Sequence, residues 1–286
     1  MTVTSYFLPD SVPEALGLLE AHGSSLLVMA GGTVAMPLIN EGISLPGVVM
    51  GLRRAGLDRI ERVGDELRIG ATVTLTRLIE QETIPMLRQA AGRTASWSIR
   101  NMGTVGGNLF TPPPGGDVAV ALLALDARVT LTGPRGDRTV PLSAFWTGFM
   151  TSDLRPDELL TSIAVPIEPG ATTFVKLGRK HANTPAVVTV AVYLAVGGGT
   201  VTGARIALGA AGPHPMRAPG AEAAITGSAL EPGAVAEAVA AAERECLAFT
   251  DGVASEWYRR RMVGVFVRRA LTELARPAGP AIGGGL

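Results

Sequence analysis

The sequence predicts an α+β protein of two or three lobes, and three observations carry that prediction. The chain of 286 residues exceeds one ordinary domain. Hydrophobic residues make up 47% and charged residues 17%, enough to fill a large core and too apolar for disorder. After a Pro/Gly boundary near 166–171, strand patterns come first and helical patterns follow, the order of an α+β lobe.

Ser11 can cap a helix, with Glu14 three residues on to reach back. Val12, Ala15, Leu16 and Leu19 give that helix an apolar stripe, and Gly23 ends it. Leu26–Met29 reads as a short buried strand running into the loop Ala30-Gly31-Gly32-Thr33. Residues 67–71 predict another strand, and Leu75–Glu80 and residues 85–91 predict short helices. Residues 99–108 hold three glycines among polar side chains and read as loop, as do 111–117 with Pro112, Pro113 and Pro114. Asp117 is a good cap type for the apolar helix 118–125. Residues 127–132 and 139–140 flank Gly133-Pro134-Arg135-Gly136 as a hairpin. Beyond the boundary come strands at 173–177, 187–196 and 201–208, the last two joined through Gly197-Gly198-Gly199, then helices at 232–247 and 255–274. The tail 279–286 is rich in glycine and proline and is expected to be mobile.

Several function classes are set aside by composition. Lys+Arg and Asp+Glu are both 25, so no net charge draws the chain to nucleic acid. Cys246 stands alone, which rules out an internal disulfide and an iron–sulfur cluster held by this chain. No apolar run reaches membrane-spanning length and residues 1–10 lack a secretion signal, so a soluble cytoplasmic protein is expected. His22, His181 and His214 have no metal-ligand spacing, and His181 reads as an ordinary loop histidine. No nucleophile elbow is present. Arg259, Arg260, Arg261, Arg268 and Arg269 read as a solvated face opposite a stripe of Tyr258, Met262, Val265, Phe266 and Ala270. Trp97 and Trp146 are expected in the core or beside a cofactor.

Two glycine-rich loops dominate what remains: Ala30-Gly31-Gly32-Thr33-Val34, leaving a strand, and Gly103-Thr104-Val105-Gly106-Gly107-Asn108. Glycine lets backbone approach a ligand closely, and successive free amides form an anion nest suited to a diphosphate. Thr33, Thr104 and Asn108 add donors, and Asp117 can accept from ribose hydroxyls. Either loop alone reads more readily as a turn than as a phosphate site. Neither the G-x-x-x-x-G-K-[ST] nor the G-x-G-x-x-G pattern occurs, so a Walker or Rossmann cradle is excluded.

Met29-Ala30-Gly31-Gly32-Thr33 and Ile99-Arg100-Asn101-Met102-Gly103-Thr104-Val105-Gly106-Gly107-Asn108-Leu109 resemble the two signature loops of the FAD-binding medium subunit of molybdenum hydroxylases, the family of aerobic carbon monoxide dehydrogenase and xanthine dehydrogenase. Residues 157–166, 174–180, 208–213 and 257–262 extend the resemblance along the chain. It implies two N-terminal α/β FAD-binding lobes of the PCMH/vanillyl-alcohol-oxidase-like kind (residues 1–56 and 57–168) and a C-terminal α+β lobe of antiparallel sheet and helices (169–286) over the flavin. It also implies that Met29, Ala30, Gly31, Gly32, Thr33 and Val34, with Thr104, Val105, Gly106, Gly107 and Asn108, hold the diphosphate and flank the ring. Asp117 then meets the adenosine ribose, Leu160 makes an apolar cofactor contact, and Lys176 lies near the flavin pyrimidine edge, where a cation favours the anionic reduced form. One departure is the triple proline before Asp117, where the family is richer in alanine and serine.

The function implied is electron transfer by FAD inside a larger complex, with no catalytic acid, base or nucleophile and no metal on this chain. The molybdenum cofactor and iron–sulfur clusters belong to a large and a small partner subunit, in a dimer of heterotrimers. Two other readings use the same loops: a free-standing FAD-dependent oxidoreductase with its own substrate pocket, and a nucleotide-binding scaffold without redox activity.

Overall fold

The computed structural model describes residues 3–113, 115–180 and 183–275. Pro114, His181 and the tail 279–286 lie outside them. The chain begins with β1 (Ser5–Phe7), α1 (Val12–His22), β2 (Leu26–Met29), α2 (Ala35–Asn40) and β3 (Val48–Gly51). The three strands form a parallel sheet in the order β1-β3-β2. The Ser11 side chain caps α1 by accepting from the Glu14 amide at 3.3 Å, and Glu14 reaches back to the Asp10 amide at 2.8 Å. Ala15 and Leu19 pack α1 onto Leu26 and Met50 in a small core of their own.

There follow β4 (Ile60–Val63), β5 (Glu66–Gly70), α3 (Leu75–Glu80), α4 (Pro85–Arg93), α5 (Trp97–Arg100), α6 (Val105–Leu109), α7 (Asp117–Ala124), β6 (Arg128–Gly133), β7 (Gly136–Pro141), α8 (Leu142–Phe145), the short pair β8 (Trp146–Gly148) and β9 (Thr151–Ser152), and β10 (Leu159–Pro166). The sheet order β4-β5-β10-β6-β7 is antiparallel throughout. All eight residues of α7 are buried. A helix apolar all round must be covered on every side. One side of α7 meets α4 and this sheet; the other meets the strands that come next.

Those strands are β11 (Ala171–Gly178), β12 (Ala186–Gly197), β13 (Thr200–Gly209) and β14 (Met216–Arg217), antiparallel in that order. Period-two alternation divides them: Ala191, Tyr193 and Ala207 face the α7 core, while Val188, Val190, Val192 and Leu208 face a second core. The second core is closed by α9 (Pro219–Ile225), α10 (Pro232–Glu245) and α11 (Glu256–Leu274). The strands-then-helices order therefore produces one sheet covered on both faces. No helix among the described residues is long and apolar enough to cross a membrane.

Four expectations are corrected. Residues 99–108 are not all loop: Ser96 and Thr104 cap the short helices α5 and α6, and burial of Val105 and Leu109 stabilises α6 despite its glycines. The cap of α7 is Gly116, left-handed at φ 84°, and Asp117 lies inside the first turn with its carboxylate directed elsewhere. Trp97 is 69% exposed, whereas Trp146 packs at the core edge and donates Nε1–H to the Leu109 carbonyl at 2.9 Å. Arg259 is fully buried and Tyr258 is exposed, so the start of α11 is turned about its axis relative to the solvated arginine face expected of it. Its guanidinium is neutralised by Asp251 and by backbone carbonyls, which a charge pattern in sequence does not display.

Candidate functional site

The two glycine loops meet. A β-carbon added to Gly31 would run into the Met102 carbonyl and lie 3.0 Å from the Gly103 Cα, and one on Gly103 would lie 3.4 Å from the Thr33 hydroxyl. Parallel pairing of β2 with β3 delivers the first loop to this place, while hydrogen bonds fix the second. The Val105 amide donates to the Val73 carbonyl at 2.8 Å, the Gly106 amide to Ala71 at 2.9 Å, and the Leu75 amide to Gly103 at 2.9 Å. A β-carbon at Gly106 would stand 2.7 Å from the Ala71 oxygen, so only glycine permits this approach.

Between the loops lies a cleft of about 690 Å³, within the ordinary range for a bound cofactor. Its lining holds the first loop from Met29 to Val34, and Thr104, Gly106, Gly107, Asn108, Asp117, Leu160 and Lys176. Of the residues nominated from sequence, Val105 alone is not in the lining; it is turned into the core and fully buried.

The loops offer different chemistry. The amides of Gly31, Gly32, Thr33 and Val34 donate to no protein acceptor among the described residues, which leaves successive donors at the cleft. The amides of Val105, Gly106, Gly107 and Asn108 are already engaged, the Gly107 amide by the Thr104 hydroxyl oxygen at 3.0 Å. The second loop therefore contributes close-packed backbone surface, the free hydroxyl proton of Thr104, and Asn108. The Asn108 side-chain oxygen accepts from the Ala119 amide at 3.0 Å and ties the loop to α7.

Lys176 and Asp117 form an ion pair at 2.6 Å, with side chains 7% and 6% exposed. Burial pushes the Asp117 carboxyl above the usual range, and the Lys176 ammonium opposes that rise. The resemblance put Asp117 at the adenosine ribose and Lys176 at the flavin, which are opposite ends of an extended dinucleotide. Their contact places both groups at one point of the wall.

Sequence reasoning missed three features of the lining. The buried Thr72 hydroxyl has no hydrogen-bond partner among the described residues. Glu158 is bound by Arg138 through two contacts of 2.8 Å and accepts from the Arg155 amide at 3.0 Å, which holds its carboxyl down at about 2. Residues 183–186 close one side, with Asn183 left-handed at φ 49°. Only Glu158 had a signal, since it falls in one of the resembling stretches.

These residues fit a dinucleotide. Lys176 is the one cation in the lining among the described residues and is already paired, so a diphosphate would be met by the free amides of the first loop. Fold and cleft together fit a dinucleotide-binding protein whose cradle is neither Walker nor Rossmann. The comparisons name the family. The FAD binding domain in molybdopterin dehydrogenase matches residues 2–168, and the CO dehydrogenase flavoprotein C-terminal domain matches residues 172–274. The chain is 33% identical over 273 residues to the carbon monoxide dehydrogenase medium chain of Afipia carboxidovorans, covering 93% of this chain and 94% of that one. It is 31% identical over 274 residues to the nicotine 6-hydroxylase medium subunit of Paenarthrobacter nicotinovorans, covering 94% and 96%. The carbon monoxide dehydrogenase structure from Hydrogenophaga pseudoflava superposes with a TM-score of 0.92 at 34% identity, covering 96% of this chain and 97% of that chain. The chain therefore belongs to the FAD-binding subunit family of the molybdopterin dehydrogenases, and the family resemblance read from its two glycine loops holds.

Proposed function

We propose that this chain is the FAD-carrying electron-transfer subunit of a molybdenum hydroxylase, receiving electrons from a partner's iron–sulfur clusters and passing them to an external acceptor. The observation that carries the reading is the row of unengaged amides at Gly31–Val34 facing the glycine surface of 103–107 across one cleft. When bound, FAD takes up electrons singly and gives them up in pairs. The chain's own residues bind and orient it. Amides 31–34 and the Thr104 hydroxyl donate to the diphosphate, Leu160 supplies apolar contact, and the Asp117–Lys176 pair presents to a single segment of the cofactor, where Asp117 can accept from a sugar hydroxyl. No side chain is assigned as acid, base or nucleophile.

The single Cys246, 1% exposed, supports placing the clusters elsewhere, because such clusters take several thiolates. We assign them to a small subunit and the molybdenum cofactor to a large subunit, in a cytoplasmic dimer of heterotrimers. We also assign residues 1–56 and 57–168 as the two lobes that clasp FAD, with 169–286 closing over it. Co-expression with the neighbouring reading frames and affinity capture tests the assembly. Recovery of cluster- and molybdenum-bearing chains in equal amounts is expected. Capture of this chain alone, turning over a small molecule unaided, would overturn the assembly and favour a free-standing oxidoreductase.

A further inference from the structure

We infer that Arg259 is a positioning residue for the cofactor cleft, acting through the backbone of the segment that closes one side of it. This rests on the FAD-binding reading. The β11–β12 ladder slips between Leu177 and Gly178: Leu177 pairs with Val188 and Gly178 with Ala186, which leaves Val187 without an opposite number. Such a bulge frees backbone groups from the ladder. Arg259 Nη1 donates to the Ala186 carbonyl at 3.2 Å, to Val187 at 2.8 Å, and to Ala210, just past the end of β13, at 3.2 Å. Its Nη2 donates to the Asp251 carboxylate at 2.5 Å, and its plane lies over Phe249 at 4.6 Å. Asp251 also accepts from the amides of Val253 and Ala254, at 2.9 and 3.0 Å. One guanidinium thus ties α11 and the 251–254 turn to the irregular end of the central sheet.

That end leads directly into the cleft. Ala186, whose carbonyl Arg259 holds, lines it, as do Asn183, Thr184 and Pro185 immediately before. A planar, permanently charged fork is suited to holding several carbonyls and a carboxylate in fixed geometry, and a lysine ammonium lacks that shape. Arg259 itself does not line the cleft and is fully buried, so any effect on the cofactor passes through residues 183–186.

The test uses the full chain loaded with FAD and compares Arg259→Met and Arg259→Lys with Phe266→Leu. The last is a core change on the same helix at a residue that neither lines the cleft nor bonds to the 183–186 segment among the described residues. For both arginine variants a tenfold or larger weakening of FAD binding and an altered visible circular dichroism band of the flavin are expected, smaller for lysine than for methionine. Phe266→Leu should lower thermal stability while keeping the parent affinity and band shape. If Arg259→Met does not fold, Arg259→Lys and Asp251→Asn carry the comparison. Arginine variants indistinguishable from Phe266→Leu in affinity and band shape overturn the inference. A parent chain that takes up no FAD overturns the FAD-binding reading instead.

Discussion

The Lys176 ammonium lies 2.6 Å from the Asp117 carboxylate, both nearly sealed from solvent, joining the strand β11 to the first turn of α7 across 59 residues of sequence. Removing one member leaves the other charge buried without a partner. Lys176→Met should cost about 3–5 kcal/mol, and Lys176→Met/Asp117→Asn should recover part of that, as denaturant unfolding would show. The pH profile has a definite sign. Burial raises the folded carboxyl above its unfolded value, so the contribution is present below the unfolded value and is lost as pH rises through the folded one. Lys176 opposes the shift, so Lys176→Met should steepen that loss.

Gly31→Ala should separate the two loops, because its β-carbon collides with the Met102 backbone, which cannot swing aside as a flexible side chain would. Overpacking of this kind costs about 1–3 kcal/mol, or roughly five- to 150-fold in FAD affinity if the strain falls on the bound geometry. Gly17→Ala, on α1 with open space around it, is expected to stabilise by about 0.5–1 kcal/mol and leave FAD binding unchanged. Equal affinity in the two variants would remove the contact between the loops from the account.

Glu158 governs acid stability. Its folded carboxyl is held down at about 2 by Arg138, so its contribution is complete above the unfolded value near 4.5 and disappears as pH falls towards 2. The carboxylate is buried but the Arg138 guanidinium is partly exposed, so solvent screening leaves on the order of 1–2 kcal/mol from that linkage. Glu158→Gln should therefore be destabilised near neutrality and converge with the parent only as pH falls to about 2, in thermal melts across pH.

Thr104→Val removes the oxygen that accepts from the Gly107 amide and keeps the side-chain volume. A loss of about 0.5–2 kcal/mol is expected, with weaker FAD binding, and Thr104→Ser should restore most of both. Melting temperature and fluorescence titration check the pair of variants together.

The sequence displays some of these features and hides others for identifiable reasons. Both glycine loops are visible because glycine is required locally, at Gly31 and Gly106, where backbone approaches backbone. The helix α7 is visible because an unbroken apolar run from Val118 has nowhere to go but inside. The helices α5 and α6 are not, because the Ser96 cap of α5, and the Thr104 cap with buried Val105 and Leu109 in α6, act against unfavourable propensity only in the folded context. Arg259 looks like its neighbours Arg260 and Arg261 until the Ala186, Val187 and Ala210 carbonyls are placed around it. The Asp117–Lys176 pair carries no local signature, since it closes only when α7 packs against the sheet of β11 to β14.

The claim beneath all of this is that the free amides of Gly31–Val34 and the glycine surface of 103–107 clasp one dinucleotide. Titration of the purified, folded chain with FAD, followed by flavin absorbance and fluorescence, tests it most directly. The account predicts saturable uptake of one FAD per chain, with a structured visible band, and marked weakening in Gly31→Ala. A chain folded by near-ultraviolet circular dichroism that stays colourless and leaves added FAD free in solution would contradict it.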